Sequence, residues 1–227
     1  MDIDSPEWAR LIAEGAAGLG LEPGPDRIAL FARHGQALLE WNAVTNLTTI
    51  TRAEDVALSH FLDSLAAAAA VPAGSRVLDV GSGGGFPGLP LHVAVPGLQT
   101  TLLDASRKKV SFLRHVIRTL RLERIDAVHA RVEELNRSPD HAQRYEVVVS
   151  RAFASMADLL RAAWPLIAPG GCVVALKGLL TDAELGELRE DAARGAYGAV
   201  SGLATEVYRL PGLKSERMRV VVRWKAG

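Results

Sequence analysis

The chain has 227 residues, with 26 lysines and arginines against 26 aspartates and glutamates and 48% hydrophobic residues. That is room for one α/β domain of about 150 residues plus a smaller attachment, and a formal charge of zero gives no global field to draw in nucleic acid, so any basic surface must be local. Cys172 is the only cysteine, which excludes an internal disulfide framework and fits a reducing cytoplasm; one cysteine and six scattered histidines give no zinc-ligand spacing, the acidic stretch Met1 to Glu7 reads as no signal peptide, and the apolar run Leu65 to Val71 is too short to span a membrane.

Residues 1–70 carry no strand signal. Apolar residues recur at helical spacing in Trp8, Leu11 and Ile12 and again in Ile28, Phe31, Leu38, Leu39 and Trp41, and Pro23-Gly24-Pro25 separates two helices. A further helix is expected over 52–70, so 1–70 reads as an N-terminal helical cap on a domain spanning 71–227. From Ser75 the pattern alternates. Strands are predicted at 76–80, 99–103, 125–129, 145–150 and 172–177, and helices at 87–94, 106–121, 155–163 and 181–194. Such alternation predicts an α/β fold with a mostly parallel sheet and helices on both faces. The runs 204–210 and 218–224, joined by Pro211 to Arg217, read as an antiparallel hairpin.

The most informative stretch is Val77-Leu78-Asp79-Val80-Gly81-Ser82-Gly83-Gly84-Gly85-Phe86-Pro87-Gly88. A buried strand runs into a loop with almost no side chains, and Pro87 is placed to open a helix at its first position. Asp104 ends the next apolar run, where a second strand presents a carboxylate to a ribose. Residues 83–88 also fit the dinucleotide fingerprint, which keeps an NAD-dependent oxidoreductase open. Asp79 at the strand end disfavours a pyrophosphate, whereas S-adenosyl-L-methionine, with its sulfonium and ammonium, suits a nearby carboxylate. The pattern D-x-G-x-G-x-G resembles the first motif of Rossmann-like methyltransferases.

Ligands in open sheets bind past the C-terminal strand ends. Gly81 and Gly83 would lie against the cofactor there. Asp104 would accept from ribose hydroxyls or cap the next helix, with Ala105 and Ser106 near the adenine. Val132 and Glu133 would contact the adenine or simply open a helix. Arg151, past the fourth strand, would bind the methionine carboxylate or a substrate phosphate. That segment is neither the Asn/Asp-Pro-Pro-aromatic of adenine-N6 enzymes nor the Pro-Cys of cytosine-C5 enzymes, and Cys172 begins a strand, on the wrong side for attack. Arg107, Arg114, Arg118 and Arg121 form a stripe beside the apolar Val110, Leu113, Ile117 and Leu120, which Lys108, Lys109, Lys214, Arg217, Arg219, Arg223 and Lys225 would extend. It reads as a solvated face or a phosphate contact.

Across most of its length the chain resembles the RsmG (GidB) family of bacterial 16S rRNA guanine-N7 methyltransferases. The matching motifs are Trp41-Asn42 with Asn46-Leu47-Thr48, His60-Phe61-Leu62-Asp63-Ser64, Asp79 to Gly88, Leu103-Asp104-Ala105, Lys108 to Leu113, Arg131 to Glu134, Ser150-Arg151-Ala152-Phe153-Ala154 and Ala175 to Gly178. One departure is Arg217-Met218, where the family usually has Arg-His. The resemblance implies a seven-stranded Rossmann-like class I methyltransferase sheet and cofactor contacts at Gly81, Phe86, Asp104 to Ser106, Val132, Glu133 and Arg151. It further implies a guanine of the decoding region as substrate, presented by the small ribosomal subunit or an assembly intermediate in the cytoplasm. Guanine N7 carries no proton, so no acid or base is required and catalysis rests on alignment and water exclusion. His60, Asp63, Ser64 and Asn46 are the candidates for holding that guanine, the alternative being interdomain packing and helix capping. A methyltransferase of another substrate is the competing function.

Overall fold

The computed structural model describes every residue except Ala152, Ala154, Pro211, Leu213, Lys214 and Gly227. Parts of the Ser150–Ala154 motif, of the Pro211–Arg217 connection and of the basic set therefore lie outside the described residues. Two helices come first, α1 (Pro6–Gly18) and α2 (Pro25–Thr45). Each begins on proline, where a missing N–H costs nothing. The Ser5 hydroxyl accepts the Trp8 N–H at 3.2 Å and caps α1. Asn46 ends α2 in the left-handed region, φ 40°. Then come α3 (Ala53–Val56), a π-helical turn over Ala57–Leu62 that carries His60, and α4 (Asp63–Leu65).

The rest alternates: β1 (Arg76–Val80), α5 (Gly88–Ala94), β2 (Gln99–Asp104), α6 (Arg107–Leu120), β3 (Ile125–His129), α7 (Val132–Leu135), β4 (Tyr145–Arg151), α8 (Met156–Ala163), β5 (Ile167–Lys177), α9 (Asp182–Ala193), β6 (Val200–Tyr208) and β7 (Arg217–Trp224). The seven strands lie in the order β3-β2-β1-β4-β5-β7-β6. The first five are parallel, and β7 runs antiparallel between β5 and β6. The order reverses between β1 and β4, which is where an open sheet of this kind leaves a crevice.

The expected strands and helices are present, with three corrections. Pro87 is the cap residue before α5 rather than its first helical residue. Strand β5 begins at Ile167, five residues early, because Ile167 pairs with Tyr145 across an irregularity in the β4–β5 register. The hairpin strand β6 occupies Val200–Tyr208 instead of 204–210.

Strands β1 and β4 are buried on both faces, as parallel strands covered by helices must be. The helices of 1–70 have no core of their own. Trp8, Phe31, Leu38, Phe61 and Leu62 share one apolar cluster with Phe86, Leu89, Leu102, Phe112 and Leu113. Each such side chain stabilises the fold by about 1.5–3 kcal/mol relative to exposure, so the cap and the sheet face are stabilised together. No helix among the described residues is long and apolar enough to cross a membrane.

Candidate functional site

Among the described residues, two clefts at the C-terminal strand ends hold the expected site residues. The first, about 180 Å³, is lined by Val80, Gly81, Leu103, Asp104, Ala105, Ala130, Arg131, Val132, Glu133 and Phe153. Gly81 has φ 77°, and a Cβ there would meet no atom within 4 Å. Gly83 has φ 58°, and a Cβ would meet only the Gly81 carbonyl, at 3.9 Å. Both glycines are thus backbone presented to open space, the form a cofactor cradle takes.

Asp104 braces this cradle. Its Oδ2 accepts the Gly83 N–H at 2.9 Å and its Oδ1 the Ser106 N–H at 2.8 Å, so it ties the loop to the start of α6. A carboxylate offers about four lone-pair sites, so acceptor capacity remains for a ribose. Ala105 lines the cleft, and Ser106 is the cap residue of α6. The two acids after β3 divide their roles. Glu134 accepts the Arg131 N–H and completes the helix cap, while Val132 and Glu133 line the cleft.

Asp79 does not present a free carboxylate at the strand end. It is fully buried, and its Oδ2 accepts the Gly88 N–H at the start of α5 at 2.9 Å. Its Oδ1 has no partner. Burial, above all, pushes its pKa up to about 7, with Arg151 opposing and Asp104 adding to the rise. The groups that do fit the nucleoside of S-adenosylmethionine are the open backbone of Gly81 and Gly83 and the Asp104 carboxylate beside them.

The second cleft, about 300 Å³, is lined by Ile50, Ser59, His60, Asp63, Arg151, Ser215 and Arg217. Its polar atoms are committed to one another. Arg151, ending β4, donates to the Ser59 carbonyl at 2.6 Å and to His60 Nδ1 at 3.1 Å, and lies over the Phe86 ring at 5.1 Å. His60 Nδ1 accepts from Arg151, so Nε2 carries the proton and donates to Thr48 Oγ1 at 2.8 Å. Burial first, then the Arg151 charge, lowers its pKa to about 3, so the ring is neutral. Asp63 is buried and held on both oxygens: Tyr208 and Arg217 Nε bond Oδ1, at 2.8 and 3.1 Å, and a second Arg217 nitrogen bonds Oδ2 at 2.9 Å. Arg151 adds an ion pair at 3.8 Å. That carboxylate raises the Tyr208 hydroxyl well above its usual range, after burial itself.

Of the four residues expected to hold a base, His60 and Asp63 line this cleft together. Ser64 is buried and donates its hydroxyl to the His60 carbonyl at 2.5 Å, and Asn46 is an exposed cap residue of α2. Lys177, the last residue of β5, donates to the Phe153 carbonyl at 2.9 Å and so props the segment after β4. Sequence patterns do not single out His34 or Tyr208, and Thr48 figures in them only within the Asn46-Leu47-Thr48 motif. His34 had a signal: it is the one polar residue in the apolar stripe of α2 between Phe31 and Leu38, where a buried imidazole must find a partner.

A family model described as rRNA small subunit methyltransferase G matches residues 27–200. The ribosomal RNA small subunit methyltransferase G of Geobacter sulfurreducens is 42% identical over 204 residues, covering 89% of this chain and 91% of the relative. That of Myxococcus xanthus is 39% identical over 220 residues, covering 96% and 98%. Among solved structures, a SAM-dependent O-methyltransferase of Thermotoga maritima superposes with a TM-score of 0.54 at 13% identity, over 84% of this chain and 72% of that one, a likeness of fold. The matches run through both clefts and nearly end to end, and the chain belongs to the rRNA small subunit methyltransferase G family.

Proposed function

We propose that this protein transfers the methyl group of S-adenosyl-L-methionine to N7 of a guanine in the decoding region of 16S rRNA, acting on the small ribosomal subunit or an assembly intermediate in the cytoplasm. When bound, S-adenosyl-L-methionine would supply an electrophilic methyl group on its sulfonium sulfur for transfer to a base nitrogen that carries a free lone pair. In this reading Gly81, Gly83, Asp104, Ala105, Ser106, Val132 and Glu133 form the nucleoside side of the site, Phe86 supports it from the core, stacked between His34 and His60, and Arg151 stands at the border with the second cleft. Arg151 and Phe153, two residues apart on the chain, line different clefts.

One observation carries the choice of nucleophile. His60, the obvious base, has its Nδ1 lone pair bonded to Arg151 and its Nε2 proton given to Thr48. Asp63 has both oxygens bonded to Arg217 or Tyr208. The second cleft therefore orients and excludes water but takes no proton, which suits guanine N7 and not an amine or hydroxyl that must be deprotonated. Purine charge turns positive as the methyl arrives, so a neutral His60 helps where an imidazolium would oppose. His60 and Asp63 are assigned to shaping the guanine pocket, with Ser64 and Asn46 behind and beside it.

The exposed cations of α6 support an RNA partner. Arg107, Lys108, Arg114 and Arg118 are exposed on this one helix, which starts at the rim of the first cleft, and among the described residues none of the four forms an ion pair. The test is incubation with S-adenosylmethionine labelled in its methyl group and small subunits lacking N7-methylguanine, followed by mapping of the methylated base. Label at one decoding-region guanine is expected. Label in protein or a small metabolite instead overturns the reading.

A further inference from the structure

The glycine loop is gripped from behind as well as from the cleft. On the cleft side Asp104 accepts the Gly83 N–H. On the far side His34, reaching from α2, bonds the Gly84 carbonyl through Nε2 at 2.8 Å. A carbonyl only accepts, so Nε2 carries the proton and Nδ1 is bare; Nδ1 is buried and has no partner. The imidazole stacks on Phe86 at 4.8 Å between centroids with an 18° tilt, and Phe86 stacks on His60 at 4.6 Å and 17°. His60 in turn bonds Arg151. A continuous path thus runs from the back of the loop to the end of β4.

The glycines divide accordingly. Gly81 and Gly83 face open space, but a Cβ on Gly84 would lie 2.8 Å from Leu38 and one on Gly85 3.3 Å from the His34 ring. The second pair is bare because α2 packs on it, one turn at His34 and the next at Leu38. The cap is therefore a wall of the cofactor loop.

The geometry points to His34 as a positioning residue for the cofactor: by holding the Gly84 carbonyl it fixes the loop conformation that offers Gly81 and Gly83 to the ligand. It rests on the cofactor reading above. His34 touches no ligand cleft itself and acts through Gly84 and Phe86. Its bare Nδ1 makes the site costly for stability, since burying an unpaired acceptor is unfavourable. A side chain retained for packing alone has no need of that atom.

Two variants separate bond from ring. His34→Phe keeps the stack and loses the donor, and His34→Gln keeps an N–H donor and loses the ring. Binding of S-adenosylhomocysteine is measured by calorimetry, KM and kcat by methyl transfer, and stability by urea unfolding. His34→Phe is expected to weaken binding and raise the KM for the methyl donor about five- to tenfold, the worth of one buried hydrogen bond, with kcat within about twofold and no loss in the urea midpoint. His34→Gln is expected to regain most of the affinity. In the wild-type protein, labelled at histidine nitrogens, the His34 resonances are expected to shift when S-adenosylhomocysteine is added. Unchanged affinity in folded His34→Phe overturns the proposal, as do unmoved His34 resonances whatever the variants do. Wild-type protein that binds no S-adenosylhomocysteine overturns the cofactor reading and this proposal together.

Discussion

The two clefts differ in how they are built. The first is mostly open backbone gathered at the ends of β1, β2 and β3, and its ties are mainly short in sequence, 21 residues from Gly83 to Asp104 and 24 from Ala105 to His129, with one of 70 from Val80 to Ser150. The second is dense with polar side chains, and its ties cross 92 residues from Arg151 to Ser59 and 154 from Arg217 to Asp63. A site made of short-range contacts needs only glycine and one acid. A site made of long-range contacts must partner every buried charge it brings together, or lose several kcal/mol for each. The first cleft should therefore be tolerant in stability and sensitive in ligand affinity, and the second sensitive in affinity throughout and in stability wherever a substitution leaves a buried charge without its partners.

The largest effect should come from Asp63. Its side chain is 1% exposed and faces Arg217 and Arg151. Asp63→Ala strands both guanidinium groups and should destabilise the fold by about 3–5 kcal/mol in chemical denaturation. Adding Arg217→Met should recover part of that loss, because the stranded charge leaves with it. A single-mutant loss below about 1 kcal/mol would mean the second cleft is not held as the geometry implies.

Arg151→Ala tests catalysis more than folding. Asp63 keeps its paired bonds to Arg217 in that variant, so the protein should remain folded. Without the donor to Ser59 and His60, the boundary between the clefts loosens, and misplacement on the order of 1 Å costs about 100-fold in rate. A fall of that size in methyl transfer with an intact thermal transition is expected. Unaltered transfer would remove Arg151 from the site.

The contrast also explains what the sequence could disclose. Asp79 to Gly88 and Asp104 are legible because strand, loop and helix follow one another and the acid sits at a fixed distance. Even there the sequence did not show that Asp79 caps α5 with one oxygen and leaves the other unpaired. His60 and Asp63 are visible only through family resemblance, and their partners are not visible at all. Tyr208 lies in a strand whose other residues are mostly exposed, and nothing local marks it as the partner of a carboxylate 145 residues away. The expected division at residue 70 rests on a change of periodicity, and periodicity does not report that Phe61 and Phe86 share a core.

Stability against pH sharpens the same comparison. His34 and His60 are held near about 4 and about 3, against 6.5 when unfolded, chiefly by burial. Their folded values are depressed, so the unfolded chain binds two more protons as pH falls below 6.5, and stability is lost. Asp79 is raised to about 7 from 3.8, so over the same window the folded chain binds one proton that the unfolded chain does not. The balance is one proton in favour of unfolding, or about 1.4 kcal/mol lost per pH unit between pH 6.5 and 5. His92, also lowered by burial, adds in that direction. Urea midpoints of the unliganded protein across that range should show the slope, and His34→Phe should reduce it by about 1.4 kcal/mol per unit. A variant with the wild-type slope would mean that His34 is protonated in the folded state.

The smallest effect on stability, and the most specific on substrate, is expected on α6. Arg107, Arg118 and Arg121 are exposed, and none of them forms an ion pair among the described residues. Replacing all three by glutamine should change stability by no more than about 0.5 kcal/mol per site. If phosphates lie along this helix, each lost contact should lower the slope of log affinity against log salt by about 0.7–0.9, with S-adenosylhomocysteine binding unchanged. The first cleft begins where α6 does, at Asp104 and Ser106, so RNA held on this face places its base at the strand ends without contacting the glycine loop. An unchanged salt slope would assign the stripe to solvent and send the search for the RNA surface to the other rim of the second cleft, at Ser215 and Arg217.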